Sequence, residues 1–178
     1  MATPIECYLG LGSNLGRRVA NLQAGIAAVR RRVGPVLSIS KVYESAPWGP
    51  VPIDAADVAD ASAAYLNAVA AVHTKLRPEE VLDELLSIEY DAGRRRTPGV
   101  RNEARTLDLD LLYYGNEIIV HDRLSVPHPR LHARRFVLAP LCELAPNFVD
   151  PRNGRRVCQL LEACEDEAVL SPYPHDLS

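Results

Sequence analysis

Ala104-Arg105-Thr106-Leu107-Asp108-Leu109-Asp110-Leu111-Leu112 alternates polar and apolar residues with a period of two, the pattern of a half-buried strand. Leu107, Leu109 and Leu111 are expected to face a core. Asp108 and Asp110 then share the opposite face, roughly 7 Å apart. Two carboxylates so close repel unless something positive lies between them. Magnesium fits, because it takes one or two carboxylates plus substrate phosphates rather than an all-protein cage. A solvated acidic strand face is the plainer alternative.

Arg94, Arg95, Arg96, Arg101 and Arg105 crowd the residues just ahead of this pair. Carboxylates that hold a metal, beside guanidiniums that fork onto phosphate oxygens, suit a magnesium-bound polyphosphate. A basic loop that merely pairs with nearby acids is the competing explanation.

Composition sets the frame. A chain of 178 residues with 47% hydrophobic and 24% charged residues is expected to form one globular domain spanning 1–178. A net charge of −3 offers no global attraction for nucleic acid or an anionic membrane, and neither is expected as a partner. No apolar run approaches the ~20 residues of a spanning helix, and the first residues lack a signal-peptide pattern. Cys7, Cys142, Cys158 and Cys164 are scattered, without metal-ligand spacing, and read as reduced thiols of a cytoplasmic protein.

Working outward, Ile5 to Leu11 reads as a short strand that runs into Gly10-Leu11-Gly12-Ser13-Asn14-Leu15-Gly16. A helix to Arg32 follows, with Leu15, Val19, Leu22, Ile26 and Val29 on its apolar face and Asn14 as its N-cap. Val36 to Tyr43 is expected as one strand. Pro47 to about Ser62 reads as a long loop. Tyr65 to Thr74 alternates as a third strand, with Tyr65, Asn67, Val69 and Ala71 on one face and Leu66, Ala68, Ala70 and Val72 on the other. A helix opens at Pro78, carries Val81, Leu82, Leu85 and Ile88 inward, and stops at Gly93. The fold class that results is α+β: a ferredoxin-like βαββαβ core with an antiparallel sheet flanked by helices. A C-terminal extension follows, with helices near Phe136–Leu144 and Val157–Cys164, a turn at Asn153-Gly154, and a loose tail from Pro172 to Ser178.

Gly12-Ser13-Asn14-Leu15-Gly16, Tyr65-Leu66-Asn67-Ala68, Arg105-Thr106-Leu107-Asp108-Leu109-Asp110-Leu111-Leu112 and Val126-Pro127-His128-Pro129 occur in that order. Together they resemble the 6-hydroxymethyl-7,8-dihydropterin pyrophosphokinases of folate biosynthesis, over about residues 5 to 165. The resemblance implies transfer of the β,γ-diphosphate of ATP to the pterin hydroxymethyl oxygen, with release of AMP. It implies ATP and two magnesium ions, the latter on Asp108 and Asp110.

By the same resemblance, Arg94 and Arg105 match arginines that assist transfer. Glu89, Arg96, Arg101, Leu111, Arg123, Ser125, His128 and Arg134 match positions at the nucleotide, although Glu89 on its helix equally suits a solvated face. Ser45, Ala46, Trp48, Tyr65, Asn67 and Phe136 match positions that line the pterin slot, where Asn67 offers both a donor and an acceptor. One departure stands out: Val51 to Ala64 is longer than the family's usual link into its Tyr/Phe-Leu-Asn strand. A monomer acting on small molecules is expected.

Two other readings are set beside this one. Two-metal nucleotidyltransferases also use a Gly-Ser turn and an acidic pair, but place them close together, whereas Ser13 lies far ahead of Asp108. A non-catalytic ferredoxin-like ligand-binding module predicts substituted acids and arginines, yet Asp108, Asp110 and Arg105 are all present. No G-x-x-x-x-G-K-[ST] occurs, which excludes a P-loop kinase.

Overall fold

The computed structural model describes residues 3–48, 64–94 and 105–177. Most of the stretch expected as a long loop, residues 49–62, and the arginines at 95, 96 and 101 lie outside the described residues.

Strand β1 (Ile5–Ser13) pairs antiparallel with β4 (Tyr65–Thr74) on one side and with β5 (Asp108–Tyr114) on the other. Beyond β4 come β2 (Val36–Ile39) and β3 (Val42–Ser45), and β3 in turn pairs with a C-terminal strand, β8 (Leu170–Tyr173). Taken as first, second, third and fourth strands of the core, the sheet order is fourth, first, third, second. That is the order of the split βαβ arrangement, so the expected class holds.

Helices α1 (Arg18–Arg32) and α2 (Pro78–Asp91) cover one face. There Leu22, Ile26, Val29, Val81, Leu85 and Ile88 meet Leu66, Ala68, Ala70 and Val72 of β4 and Leu109 and Leu111 of β5. Leu107 packs so close to Gly25 of α1 that a Cβ there would sit 3.0 Å from its methyls, which fixes the entry to β5. On the other face, α3 (Arg135–Leu144) and α4 (Val157–Glu162) pack Val137, Leu138, Leu141, Val157 and Leu160 against Val69, Ala71, Leu112 and Tyr113. The two faces of β4 divide as the alternation predicts.

Four local expectations are corrected. Val36 to Tyr43 is two strands rather than one: the Ser40 backbone N–H donates to the Val69 carbonyl and its hydroxyl accepts from the Val69 N–H, which bends the chain at that point. Asn14 does not cap α1, whose N-cap position is Arg17; its side chain is taken by Arg105 instead. The tail is not loose, because β8 pairs along β3 and Leu177 is buried in the core. Cys142 and Cys158 are joined by a disulfide between α3 and α4, so only Cys7 and Cys164 are free thiols.

Candidate active site

The register of three strands builds a trough. Cross-strand partners share a face, and on the α3 face the pairs run Asp108–Gly12–Asn67 and Asp110–Gly10–Val69. Gly10 and Gly12 put no side chain between the two aspartates and Asn67. A Cβ on Gly12 would lie 3.6 Å from Asp108 Cβ and 3.8 Å from Asn67 Oδ1, so any side chain here fills the floor. The resulting pocket is open to solvent along this floor.

One wall is the end of β3 and the residues after it, Ser45, Ala46, Pro47 and Trp48; the other is Arg134, Phe136 and Val137. The Asn67 amide donates to Ser45 Oγ at 3.0 Å, which leaves its carbonyl oxygen at the floor. The Trp48 and Phe136 rings meet edge to face, 6.4 Å apart, and the Arg134 guanidinium lies over both, 5.3 and 5.7 Å from their centres.

The aspartates carry the arginines. Arg94 bridges Glu89 and Asp108, and Arg105 Nη1 donates to Asp108 Oδ2 at 2.7 Å. Burial alone would raise the Asp108 pKa, but Arg105 and Arg94 outweigh it and hold the carboxyl below its ordinary value. Asp110 accepts from Arg134 Nη1 at 3.0 Å, and His128 Nε2 stands 3.9 Å from the same oxygen. Burial lowers the His128 pKa, with Arg134 and Arg130 adding to the effect against Asp110, so the imidazole is neutral near pH 7. Among the described residues, Arg134 Nε is a buried donor without a hydrogen-bond partner.

Sequence position alone hides how firmly the site is braced. The Arg105 N–H donates to Asn14 Oδ1 at 2.7 Å, Ser13 Oγ donates to the Thr106 carbonyl, and Thr106 Oγ1 donates to the Ala92 carbonyl. Glu89 is 2% exposed rather than solvated: it accepts from the Leu109 N–H at 2.8 Å and pairs with Arg94. Its spacing from Leu85 and Val81, one and two steps of four along α2, is the signal that places it on the inner face.

Of the residues singled out beforehand, Ser45, Ala46, Trp48, Tyr65, Asn67, Phe136, Arg105, Arg134, Asp108 and Asp110 surround this one pocket. Arg94, Glu89 and His128 adjoin it through their contacts with the aspartates. Three lie elsewhere. Leu111 is buried in the core on the helix α1 and α2 face. Arg123 is exposed and paired with Asp83 of α2, and Ser125 sits in a two-stranded ribbon, β6 (Ile119–Val120) with β7 (Ser125–Val126). Arg96 and Arg101 fall outside the described residues. The floor glycines Gly10 and Gly12 and the brace at Asn14 are the additions.

Residues 8–146 match a family model described as 7,8-dihydro-6-hydroxymethylpterin-pyrophosphokinase. The chain is 39% identical over 175 residues to a Synechocystis 2-amino-4-hydroxy-6-hydroxymethyldihydropteridine pyrophosphokinase, spanning 96% of this chain and 84% of that one. It is 40% identical over 171 residues to the protein of the same description from Haemophilus influenzae, spanning 96% and 99%. Among solved structures it resembles Plasmodium falciparum HPPK-DHPS with pterin and p-hydroxybenzoate, with a TM-score of 0.71 at 15% identity. That likeness covers 91% of this chain and 43% of the other, so the chain spans less than half of that protein, and the likeness concerns the fold.

Proposed function

The chain belongs to the 7,8-dihydro-6-hydroxymethylpterin-pyrophosphokinase family, and on that premise we propose that it transfers the β,γ-diphosphate of ATP to the hydroxymethyl oxygen of 6-hydroxymethyl-7,8-dihydropterin, releasing AMP in folate synthesis. The observation that carries the reading is the trough itself: an acidic pair, ringed by three arginines, faces Asn67 across a floor of bare backbone.

In this reading the pterin lies on the Gly10–Gly12 floor, between Trp48 and Phe136, with its polar edge against Asn67. A slot that hydrogen-bonds the ring rejects analogues lacking those groups, since its own donors and acceptors would be left unpaired. Arg94, Arg105 and Arg134 take the phosphates. Diphosphate transfer asks little covalent help of the protein; it asks for alignment and for neutralisation of charge as the bond between the α and β phosphates breaks. The three guanidiniums are already partly desolvated and held at the pocket by Asp108, Asp110 and Glu89, and Asn14 fixes the Arg105 backbone. His128, beside Asp110, offers a further contact to the nucleotide.

The residues fit magnesium. Asp108 and Asp110 share a face, and no group of three or more acids, histidines or cysteines able to hold a metal occurs among the described residues. Two carboxylates are too few for an all-protein cage and suit an ion that keeps phosphate and water ligands. Bound by these aspartates, two magnesium ions would offset phosphate charge and make the pterin hydroxyl easier to deprotonate.

The same reading takes the protein as a cytoplasmic monomer whose partners are the pterin and MgATP, with no nucleic acid or membrane involved. The net charge of −3 offers no global attraction for nucleic acid or an anionic membrane, and no described helix is long and apolar enough to cross a membrane. The test is AMP release from MgATP with and without the pterin, run beside Asp110→Ala. Pterin-dependent AMP that vanishes in the variant supports the reading; pterin-dependent AMP that survives refutes the role given to Asp110.

A further inference from the structure

The residues from Asp166 onward take no part in the chemistry above, yet they touch both walls of the pocket. Helix α3 begins at Arg135, between Arg134 and Phe136, and no side chain of its own caps it. Its first N–H, that of Arg135, donates to Asp166 Oδ2 at 3.0 Å, so one of the orphan donors of a helix start is satisfied from the far end of the chain. The other oxygen of the same carboxylate, Oδ1, accepts from the Ala168 N–H at 3.1 Å, and the chain then turns into β8.

Strand β8 runs along the outer edge of β3 in the register Ser45–Leu170, Glu44–Ser171, Tyr43–Pro172 and Val42–Tyr173. Strand β3 has only four residues and is held on its inner side by three register pairs with β4. Its last residue, Ser45, accepts the Asn67 amide and leads into Trp48. The far end of the tail is pinned as well. Leu177 is 4% exposed within the core, and the Arg18 guanidinium covers the Tyr173 ring while its Nη1 bonds Glu44. Within five residues, Asp166 to Leu170, the tail thus passes from the start of the Arg134–Val137 wall to Ser45, where the Ser45–Trp48 wall begins.

We propose that the 166–177 segment is a tether that sets the spacing between these two walls, with Asp166 as a positioning residue for the pterin ring. The inference rests on the reading of this pocket as the pterin slot. Its force is geometric: a flat ring bound against Trp48 and Phe136 loses contact with one of them when either wall shifts. The sheet beneath them also joins the walls, as do the Trp48–Arg134–Phe136 contacts and, farther from the ring, Glu143 of α3, which accepts from the Lys41 N–H and the Tyr43 hydroxyl; the tether is the link that reaches Arg135 and Ser45 themselves.

The test uses full-length Asp166→Ala, Asp166→Asn and Leu177→Asp. Trp48 is the chain's only tryptophan, so its emission reports on the pocket alone. Asp166→Ala is expected to raise the pterin KM about ten-fold, with kcat and the Kd of a non-hydrolysable ATP analogue within about three-fold. Without any ligand it is expected to shift Trp48 emission to the red and to speed amide exchange at both 43–48 and 135–138. Asp166→Asn, which keeps one carbonyl acceptor, recovers part of the loss, and Leu177→Asp, which frees the far end, reproduces the Ala pattern.

A folded Asp166→Ala with unchanged pterin KM and Trp48 emission overturns the tether. So does a variant that loses pterin and ATP affinity in equal proportion, since that is general loosening. If Leu177→Asp fails to fold, the Asp166 pair decides alone. If the ligand-free signals shift but pterin leaves wild-type Trp48 emission untouched, it is the pterin assignment that has failed, and Asp166's role toward the ring fails with it.

Discussion

Asn14 and Arg105, ninety-one residues apart, hold each other by two hydrogen bonds: the Asn14 N–H donates to the Arg105 carbonyl at 3.1 Å, and the Arg105 N–H donates to Asn14 Oδ1 at 2.7 Å. The turn that follows β1 therefore fixes the backbone from which Arg105 reaches Asp108. Replacing Asn14 by Ala leaves a partly buried N–H without its acceptor, at about 1–3 kcal/mol. Tm should fall by several degrees. The larger effect should be on kcat, lowered about 10- to 100-fold with both KM values little changed. Steady-state kinetics beside a melting curve separate the two; a kcat close to wild type would show that Arg105 keeps its aim without the brace.

Removal of a guanidinium from the acidic pair should be felt in the transition state. Arg105→Ala is expected to lower kcat by about 10³-fold, the scale of an arginine that stabilises a transferring phosphoryl group. A loss confined to pterin KM would place Arg105 at the ring instead.

Glu89 lends itself to a graded test. Glu89→Gln retains an acceptor for the Leu109 N–H but removes the charge that faces Arg94, so activity should drop with a modest loss of stability. Glu89→Ala removes both and leaves Arg94 with one fewer acidic partner, at about 3–5 kcal/mol by analogy with other broken buried pairs. Urea unfolding of the two variants checks the order; equal stabilities would mean that the acceptor for the Leu109 N–H contributes nothing beyond the charge.

The floor can be filled without breaking the sheet. Because a Cβ at Gly12 meets its neighbours at ordinary contact distances, Gly12→Ala should fold and melt near wild type. The added methyl occupies the surface assigned to the ring, so pterin affinity should fall at least ten-fold while a non-hydrolysable ATP analogue binds almost normally. Calorimetric titration with each ligand reads this directly, and unchanged pterin affinity would move the ring off the floor.

Acid stability has an identifiable contributor away from the trough. Asp150 is fully buried; burial would raise its pKa, but the Arg152 guanidinium and N–H and the Tyr113 hydroxyl hold it below the ordinary value of 3.8. A carboxyl depressed in the folded state stabilises fully above its unfolded pKa and loses that contribution as pH falls through the folded one. The gap in unfolding free energy between wild type and Asp150→Asn should thus be constant from pH 7 to about 5 and narrow below pH 4. A gap that stays constant to pH 2.5 would assign Asp150 a packing role only.

Much of this architecture is legible in the chain because its strands alternate cleanly. Tyr65–Thr74 has the same bounds in sequence and structure, and its two faces go to the two cores the alternation separates. Asp108 and Asp110 are likewise visible as a pair on one face. The misses share a cause: each depends on a partner far along the chain. Ser40 breaks a strand because Val69 supplies both of its backbone partners, and Asn14 resembles a helix cap until Arg105 claims it. The tail from Pro172 has a loop's composition, yet Pro172 and Tyr173 complete a strand because β3 offers an open edge. Trp48 and Phe136, far apart in sequence, reveal nothing of the cation they share until the fold brings Arg134 between them.

Gly10 and Gly12 have a further consequence. A recess lined by side chains must freeze rotamers when a ligand arrives, whereas one floored by paired backbone has no such freedom to lose. Its shape is therefore settled before any encounter. Rigid planar compounds should gain affinity there with little entropic cost, and flexible ones should show poor affinity per atom however many contacts they make.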